Sequence, residues 1–172
     1  MKKYLLPDYD FPTFSGVTPE FLKSIGKTAV LCDIDNTLVP YDQALPTDEV
    51  CAWVKSLLDN GIKIALVSNN EKERVEKFNE NIGIPYLYKS GKPSRKTVKH
   101  GTALLGSNYE ETVMLGDQLL TDVLTARLSK ITAIWVPTIK KVETPFFRCK
   151  SAIEKPYIKY YFKKKQESGK NK

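Results

Sequence analysis

Residues 28–39 read TAVLCDIDNTLV. An apolar run rich in β-branched residues ends in two carboxylates, Asp33 and Asp35, with one residue between them. Polar alternation is missing from residues 28–34, which predicts a short strand buried on both faces. Residues two apart in an extended chain point the same way. Two carboxylates facing one point repel, so one stays protonated unless a cation lies between them. A hard divalent cation with oxygen ligands, Mg²⁺ foremost, resolves that conflict. A lone pair of this kind also occurs in loops and helix caps, so its meaning depends on what the other strands carry.

Four further runs have the same character: IKIALVS (62–68), IPYLY (84–88), TVMLG (112–116) and ITAIWVP (131–137). Helical patterns lie between them. TDEVCAWVKSLLDNG (47–61) opens on Thr47 as an N-cap and closes on Gly61. Segments 71–83, 93–106 and 119–129 follow the same plan. Strands alternating with helices over short connections predict an α/β fold. The expected form is a Rossmann-like three-layer α/β/α sandwich around a five-stranded, mainly parallel sheet. Residues 1–27, with Pro7, Pro12 and Pro19, read as an irregular lead-in with a short helix near 18–25. The sandwich spans 28–145. Residues 146–172 read as a basic, aromatic helix and tail, with a break expected at Pro156.

In parallel sheets functional residues gather at the carboxyl ends of the strands, and each strand here ends in chemistry. After the second come Ser68 and Asn69, where a hydroxyl and exposed backbone N–H groups suit a phosphate oxygen. After the third, Lys92 lies between Gly91 and Pro93, placed to neutralise a phosphoryl group or an aspartate. After the fourth, GDQLLTD delivers Asp117, a further metal ligand, and Asp122; Gly116 before them permits close backbone approach.

As an ordered set, DIDNTLV, VSNN, GKP and GDQLLTD resemble the four motifs of the haloacid dehalogenase-like (HAD) superfamily. Within it the chain is similar to the small IIIA-type group called YqeG, related to mitochondrial phosphatidylglycerophosphate phosphatases. The resemblance covers roughly residues 28–137. It implies a HAD-like phosphatase using Mg²⁺, with Asp33 as nucleophile and Asp35 as general acid and base. It places the metal on Asp33, the Asp35 backbone carbonyl and Asp117. Ser68 and Lys92 would bind phosphoryl oxygens, with Asn69 beside them. Thr37 would steady the first motif's loop, and Asp122 would orient Lys92 or a metal-bound water.

The spacing adds an expectation. The intervals from Asp33 to Ser68 and from Ser68 to Lys92 hold a helix and its connections, leaving no room for a large cap domain. An open site suits a large substrate, a lipid head group or a phosphoprotein better than a small free metabolite. A phosphoryl-receiver domain is disfavoured, because its acceptor aspartate belongs on the third strand, which here ends in LYKSGK. A soluble phosphorylated metabolite stands as the alternative substrate, and a binding protein with a vestigial site as a further reading.

Composition sets the outer bounds. The chain has 172 residues, 41% of them apolar, enough for one domain with a sizeable core. No apolar stretch approaches the roughly 18 residues of a membrane span, and the amino terminus lacks a secretory pattern. Cys32, Cys51 and Cys149 are widely spaced and read as reduced thiols. These features together predict a cytoplasmic protein, soluble or peripheral to a membrane. Of the net charge of +7, residues 151–172 contribute +5, through seven lysines against Glu154 and Glu167. KPYIKYYFKKK suits packing on the domain, an anionic membrane surface or, less well, RNA.

Overall fold

The computed structural model describes residues 2–140 and 144–169. In chain order the strands are β1 (Tyr9–Asp10), β2 (Ala29–Cys32), β3 (Lys63–Val67), β4 (Tyr86–Leu87), β5 (Thr112–Gly116) and β6 (Thr132–Trp135). The helices are α1 (Pro19–Ser24), α2 (Asp48–Asp59), α3 (Lys72–Asn79), α4 (Arg95–Leu105), α5 (Leu124–Ser129) and α6 (Pro145–Gly169). All strands pair in parallel, in the order β1-β6-β5-β2-β3-β4.

The sheet has six strands rather than the five expected. The additional strand, β1, comes from the lead-in and pairs Tyr9 with Ile134 and Asp10 with Trp135. Two residues carry no periodicity, so tertiary bonds make this strand. Asp8 N–H donates to Ala133 O at 2.9 Å, Ala133 N–H donates to Asp8 Oδ2 at 2.9 Å, and Arg127 pairs with Asp8 Oδ1 at 2.8 Å. Arg127 Nε also donates to Leu6 O at 2.8 Å.

The central strands bury both faces, which explains their unbroken apolar reading. Val30 and Cys32, Ile64 and Leu66, and Val113 and Leu115 face one core with Val50, Trp53, Val54 and Leu57 of α2 and Val75 and Phe78 of α3. Leu31, Ala65, Val67 and Met114 face the other, with Val98 of α4 and Ala126 of α5. Each fully buried large apolar side chain contributes about 1.5–3 kcal/mol. Thr47 caps α2, accepting Val50 N–H at 3.1 Å. Gly101 lets α4 lie close to the sheet, since a Cβ there would stand 2.7 Å from Leu31 Cδ2.

β2 lies between β3 and β5, so the chain leaves it to build the sheet first on one side and then on the other. A crevice forms where strand order reverses in this way. Between Asp33 and Ser68 the only helix is α2, so no cap domain is inserted there.

The helix expected to break at Pro156 continues through it. Proline removes one intrahelical hydrogen bond, but α6 is held to the domain on both sides of the gap. Glu154 Oε1 accepts Leu120 N–H at 2.9 Å, Tyr157 and Ile158 pack on the second core, and the Tyr161 hydroxyl donates to Asp10 Oδ1 at 2.8 Å. Among the described residues no helix is long and apolar enough to cross a membrane.

Candidate active site

Asp33 follows directly on β2, and its N–H extends the ladder to Leu115 O at 2.9 Å. The chain then turns sharply. Asn36 takes a left-handed conformation, φ 64°, which Asn tolerates better than most residues. Its N–H donates to Val39 O at 2.7 Å, and its Oδ1 accepts Lys140 N–H at 3.2 Å. Within this turn Thr37 Oγ1 lies 3.3 Å from Asp33 Oδ2 and 3.4 Å from Asp117 Oδ1. Thr37 thus ties the end of β2 to the end of β5.

The fourth motif folds back onto the first. Asp117 follows β5, and its Oδ2 accepts the Thr138 hydroxyl at 2.7 Å. A π-helical turn over Leu119–Val123 swings Asp122 back over Gly116. A Cβ at Gly116 would stand 2.3 Å from Asp122 Cγ, so only glycine admits this approach. Asp122 Oδ2 accepts Gln118 N–H at 3.1 Å, while Oδ1 faces Lys92.

Lys92 Nζ is buried 2.6 Å from Asp33 Oδ1, 2.8 Å from Asp122 Oδ1 and 2.9 Å from Val67 O. Its loop is fastened by Asn69, whose Oδ1 accepts Lys92 N–H at 2.8 Å and the Ser90 hydroxyl at 2.9 Å. Asn69 Nδ2 donates to Lys92 O at 3.1 Å. The Asn69 amide is therefore engaged with the lysine loop. Ser68 Oγ accepts Asn70 N–H at 3.0 Å, which keeps the hydroxyl hydrogen for another acceptor.

Asp33, Asp117 and Asp122 are buried, each with an oxygen within 4.8 Å of the others. When all three are ionised, one ammonium leaves two negative charges, the complement of a divalent cation. The donor set, all hard oxygen, fits Mg²⁺. Burial and mutual repulsion favour the protonated forms of the Asp33 and Asp117 carboxyls while no cation is bound. Burial pushes Asp33 up to about 7; Lys92 opposes that shift and the Asp122 charge adds to it. Burial, and then the charges of Asp33 and Asp122, hold Asp117 well above the usual carboxylate range. Burial alone would lower Lys92, but the carboxylates of Asp122 and Asp33 outweigh it and hold the ammonium above its ordinary value.

The Asp35 side chain stands apart from this cluster. Its Oδ1 receives Arg74 Nη2 at 2.8 Å, and its Oδ2 lies 3.4 Å from Asn70 Nδ2. A cleft of about 480 Å³ opens over the strand ends, lined by Asp33, Asp35, Ser68, Asn69, Lys92 and Gln118. Tyr41, Leu120, Phe147 and Lys150 also line it, so α6 supplies one wall of a site expected to be open. The Tyr41 and Phe147 rings meet edge-on at 6.1 Å, and Lys150 Nζ donates to Gln118 Oε1.

The structure brings Asp33, Asp35, Thr37, Ser68, Asn69, Lys92, Asp117 and Asp122 together at one end of the sheet. Arg74, Thr138 and the α6 wall, which the sequence does not single out, join them there. Arg74 sits in a charge-rich helix that reads as a solvated face. One signal was available: Arg74 lies four residues before buried Phe78, and such pairs share a helix face.

Comparison with known proteins agrees with this geometry. The haloacid dehalogenase-like hydrolase family profile matches residues 13–129. "Probable phosphatase YqeG" of Bacillus subtilis is 40% identical over 124 residues, covering 72% of each chain. A crystal structure of an uncharacterized protein from Listeria monocytogenes serotype 4b shares the fold at TM-score 0.54 and 18% identity. It aligns with 69% of this chain and 85% of its own. A protein from Legionella pneumophila assigned to HAD subfamily III A aligns at TM-score 0.50 and 22% identity, over 70% of this chain and 72% of its own. With a family match over more than half its length, and a buried acidic cluster at the switch point of its sheet, this chain belongs to the haloacid dehalogenase-like hydrolases.

Proposed function

We propose that this protein is a Mg²⁺-dependent phosphomonoester hydrolase working through an aspartyl-phosphate on Asp33. The observation that carries the reading is the bridge from Lys92 to both Asp33 and Asp122 inside the three-carboxylate cluster. In this reading an Asp33 oxygen attacks phosphorus as the bond to the ester oxygen breaks, and Asp35 gives the departing oxygen a proton. Asp35 then takes a proton from water, whose oxygen attacks the phosphorus of the acyl phosphate and frees Asp33 and inorganic phosphate.

Lys92 fixes the attacking carboxylate and offsets charge on the transferring group, and the Ser68 hydroxyl donates to a phosphoryl oxygen. Asn69 serves the same end by clamping the Lys92 loop. Asp33 and Asp117, with the Asp35 backbone carbonyl, would hold Mg²⁺, and Asp122 would orient Lys92 beside it. When bound, Mg²⁺ neutralises phosphate charge so that an anionic nucleophile can approach.

For the substrate we propose phosphatidylglycerophosphate, whose phosphomonoester head group would be reached at an anionic membrane face. The family resemblance, the lack of a cap and the lysines of α6 support that choice. Peripheral contact through the basic carboxyl-terminal segment belongs to the same reading. A soluble phosphorylated metabolite or a phosphoprotein is the alternative.

Phosphate release tests both levels. Wild type and Asp33→Asn are assayed with Mg²⁺ on phosphatidylglycerophosphate in anionic vesicles and on a panel of soluble phosphomonoesters. Wild type should turn over, stop when Mg²⁺ is chelated, and prefer the lipid. Mg²⁺-dependent release by folded Asp33→Asn would sink the mechanism, and preference for a soluble ester would sink the lipid assignment.

A further inference from the structure

Arg74 has no part in the proposed chemistry, yet it touches the proposed proton donor directly. It lies in the first turn of α3, away from the four motifs, yet its guanidinium is largely buried. Nη2 reaches Asp35 Oδ1 at 2.8 Å and Gln43 O at 2.9 Å; Nη1 reaches Ala44 O at 3.0 Å. The Arg74 guanidinium also stands over the Phe78 ring, 5.5 Å from its centre, and Phe78 is fully buried in the core. One planar group thus joins three parts: a helix anchored in the core, the Asp35 carboxylate, and the loop carrying Tyr41 along the cleft.

This arrangement has a chemical consequence. Asp33 and Asp35 leave β2 two residues apart, and an unrestrained Asp35 could turn towards the same cation as Asp33. Arg74 draws it aside: the oxygens that gather within 4.8 Å belong to Asp33, Asp117 and Asp122. Among the described residues, the contact at Oδ1 leaves Oδ2 with the long 3.4 Å Asn70 contact, on a side chain that lines the cleft. We propose that Arg74 is a positioning residue, holding Asp35 out of the metal cluster and aiming its Oδ2 at the leaving-group oxygen. A lysine could not replace it fully, because a single ammonium lacks the fork that holds Asp35 and two loop carbonyls together. The inference rests on the reading of Asp35 as proton donor.

The test uses leaving groups of different basicity. A poor leaving group needs its proton, whereas p-nitrophenolate departs without one. Wild type, Arg74→Gln and Arg74→Lys are compared with Mg²⁺ on phenyl phosphate and p-nitrophenyl phosphate. The readout is kcat/KM, which reports the phosphorylation step. Arg74→Gln should lose roughly 10–100-fold on phenyl phosphate, part of what a general acid contributes, and less than about threefold on p-nitrophenyl phosphate. Arg74→Lys should show the same asymmetry, smaller, and carries the test should Arg74→Gln fail to fold. Equal losses on both esters would reduce Arg74 to a structural residue, and no loss on either would remove its role; both overturn the proposal. A wild type without Mg²⁺-dependent turnover on these esters, on phosphatidylglycerophosphate or on the soluble panel would instead overturn the phosphatase reading, and this inference with it.

Discussion

Lys92 Nζ lies 2.6 Å from Asp33 Oδ1, and both side chains are more than nine-tenths buried. Neither charge could stand there alone. The ammonium is shared with Asp122 at 2.8 Å and stabilised further by the Val67 carbonyl, so one cation holds together the ends of the strands that carry the first and fourth motifs.

Lys92→Met should therefore damage folding as well as chemistry. It leaves buried carboxylates without their cation, a loss on the order of 3–5 kcal/mol. Urea denaturation in the absence of metal should show that loss, and saturating Mg²⁺ should restore part of it. Phosphate release should fall by at least about 100-fold. A variant as stable as wild type without metal would show that the cluster is not held by this lysine.

The acidic cluster also sets a pH dependence. The Asp33 carboxyl is raised from 3.8 to about 7 in the folded protein, and Asp117 moves the same way. Between those values the native state keeps a proton that the unfolded chain has released. Stability of the metal-free protein is thus highest at low pH within this window and falls as pH rises through about 7. Mg²⁺ favours the ionised carboxylates, so its stabilising effect should grow in the same direction. Thermal melts at about pH 5 and about pH 8, with chelator and with Mg²⁺, measure both slopes. A metal-free protein that gains stability towards pH 8 would contradict this electrostatic account.

Gly116→Ala probes the fourth motif without touching a charge. The added methyl would press on Asp122, 2.3 Å from its Cγ, and must push that carboxylate away from Lys92. Overpacking of this kind costs about 1–3 kcal/mol. Mg²⁺ affinity, measured by calorimetric titration, should weaken roughly 10–100-fold, as when a group supporting a metal site is displaced. Unchanged affinity would show that Asp122 stands outside the metal's reach.

Much of this molecule was legible in its sequence. The buried strands β2, β3, β5 and β6 announce themselves because both faces are covered, so apolar residues run without polar alternation. Their ends carry Asp33, Ser68 and Asp117, and a parallel sheet sends all its carboxyl ends to one rim. Lys92 follows by the same logic from the third expected strand. Three features were decided only in the folded chain. The two-residue strand Tyr9–Asp10 has too few positions for any period and exists because Asp8 and Arg127 fasten it to β6. Helix α6 runs through Pro156 because contacts with the domain on both sides outweigh one missing hydrogen bond. Arg74 reaches Asp35 across 39 residues because α3 packs beside the first motif, and no local pattern encodes which neighbour a helix will meet. Chain-local rules fix what each strand end bears; long-range packing alone fixes which distant side chain completes it.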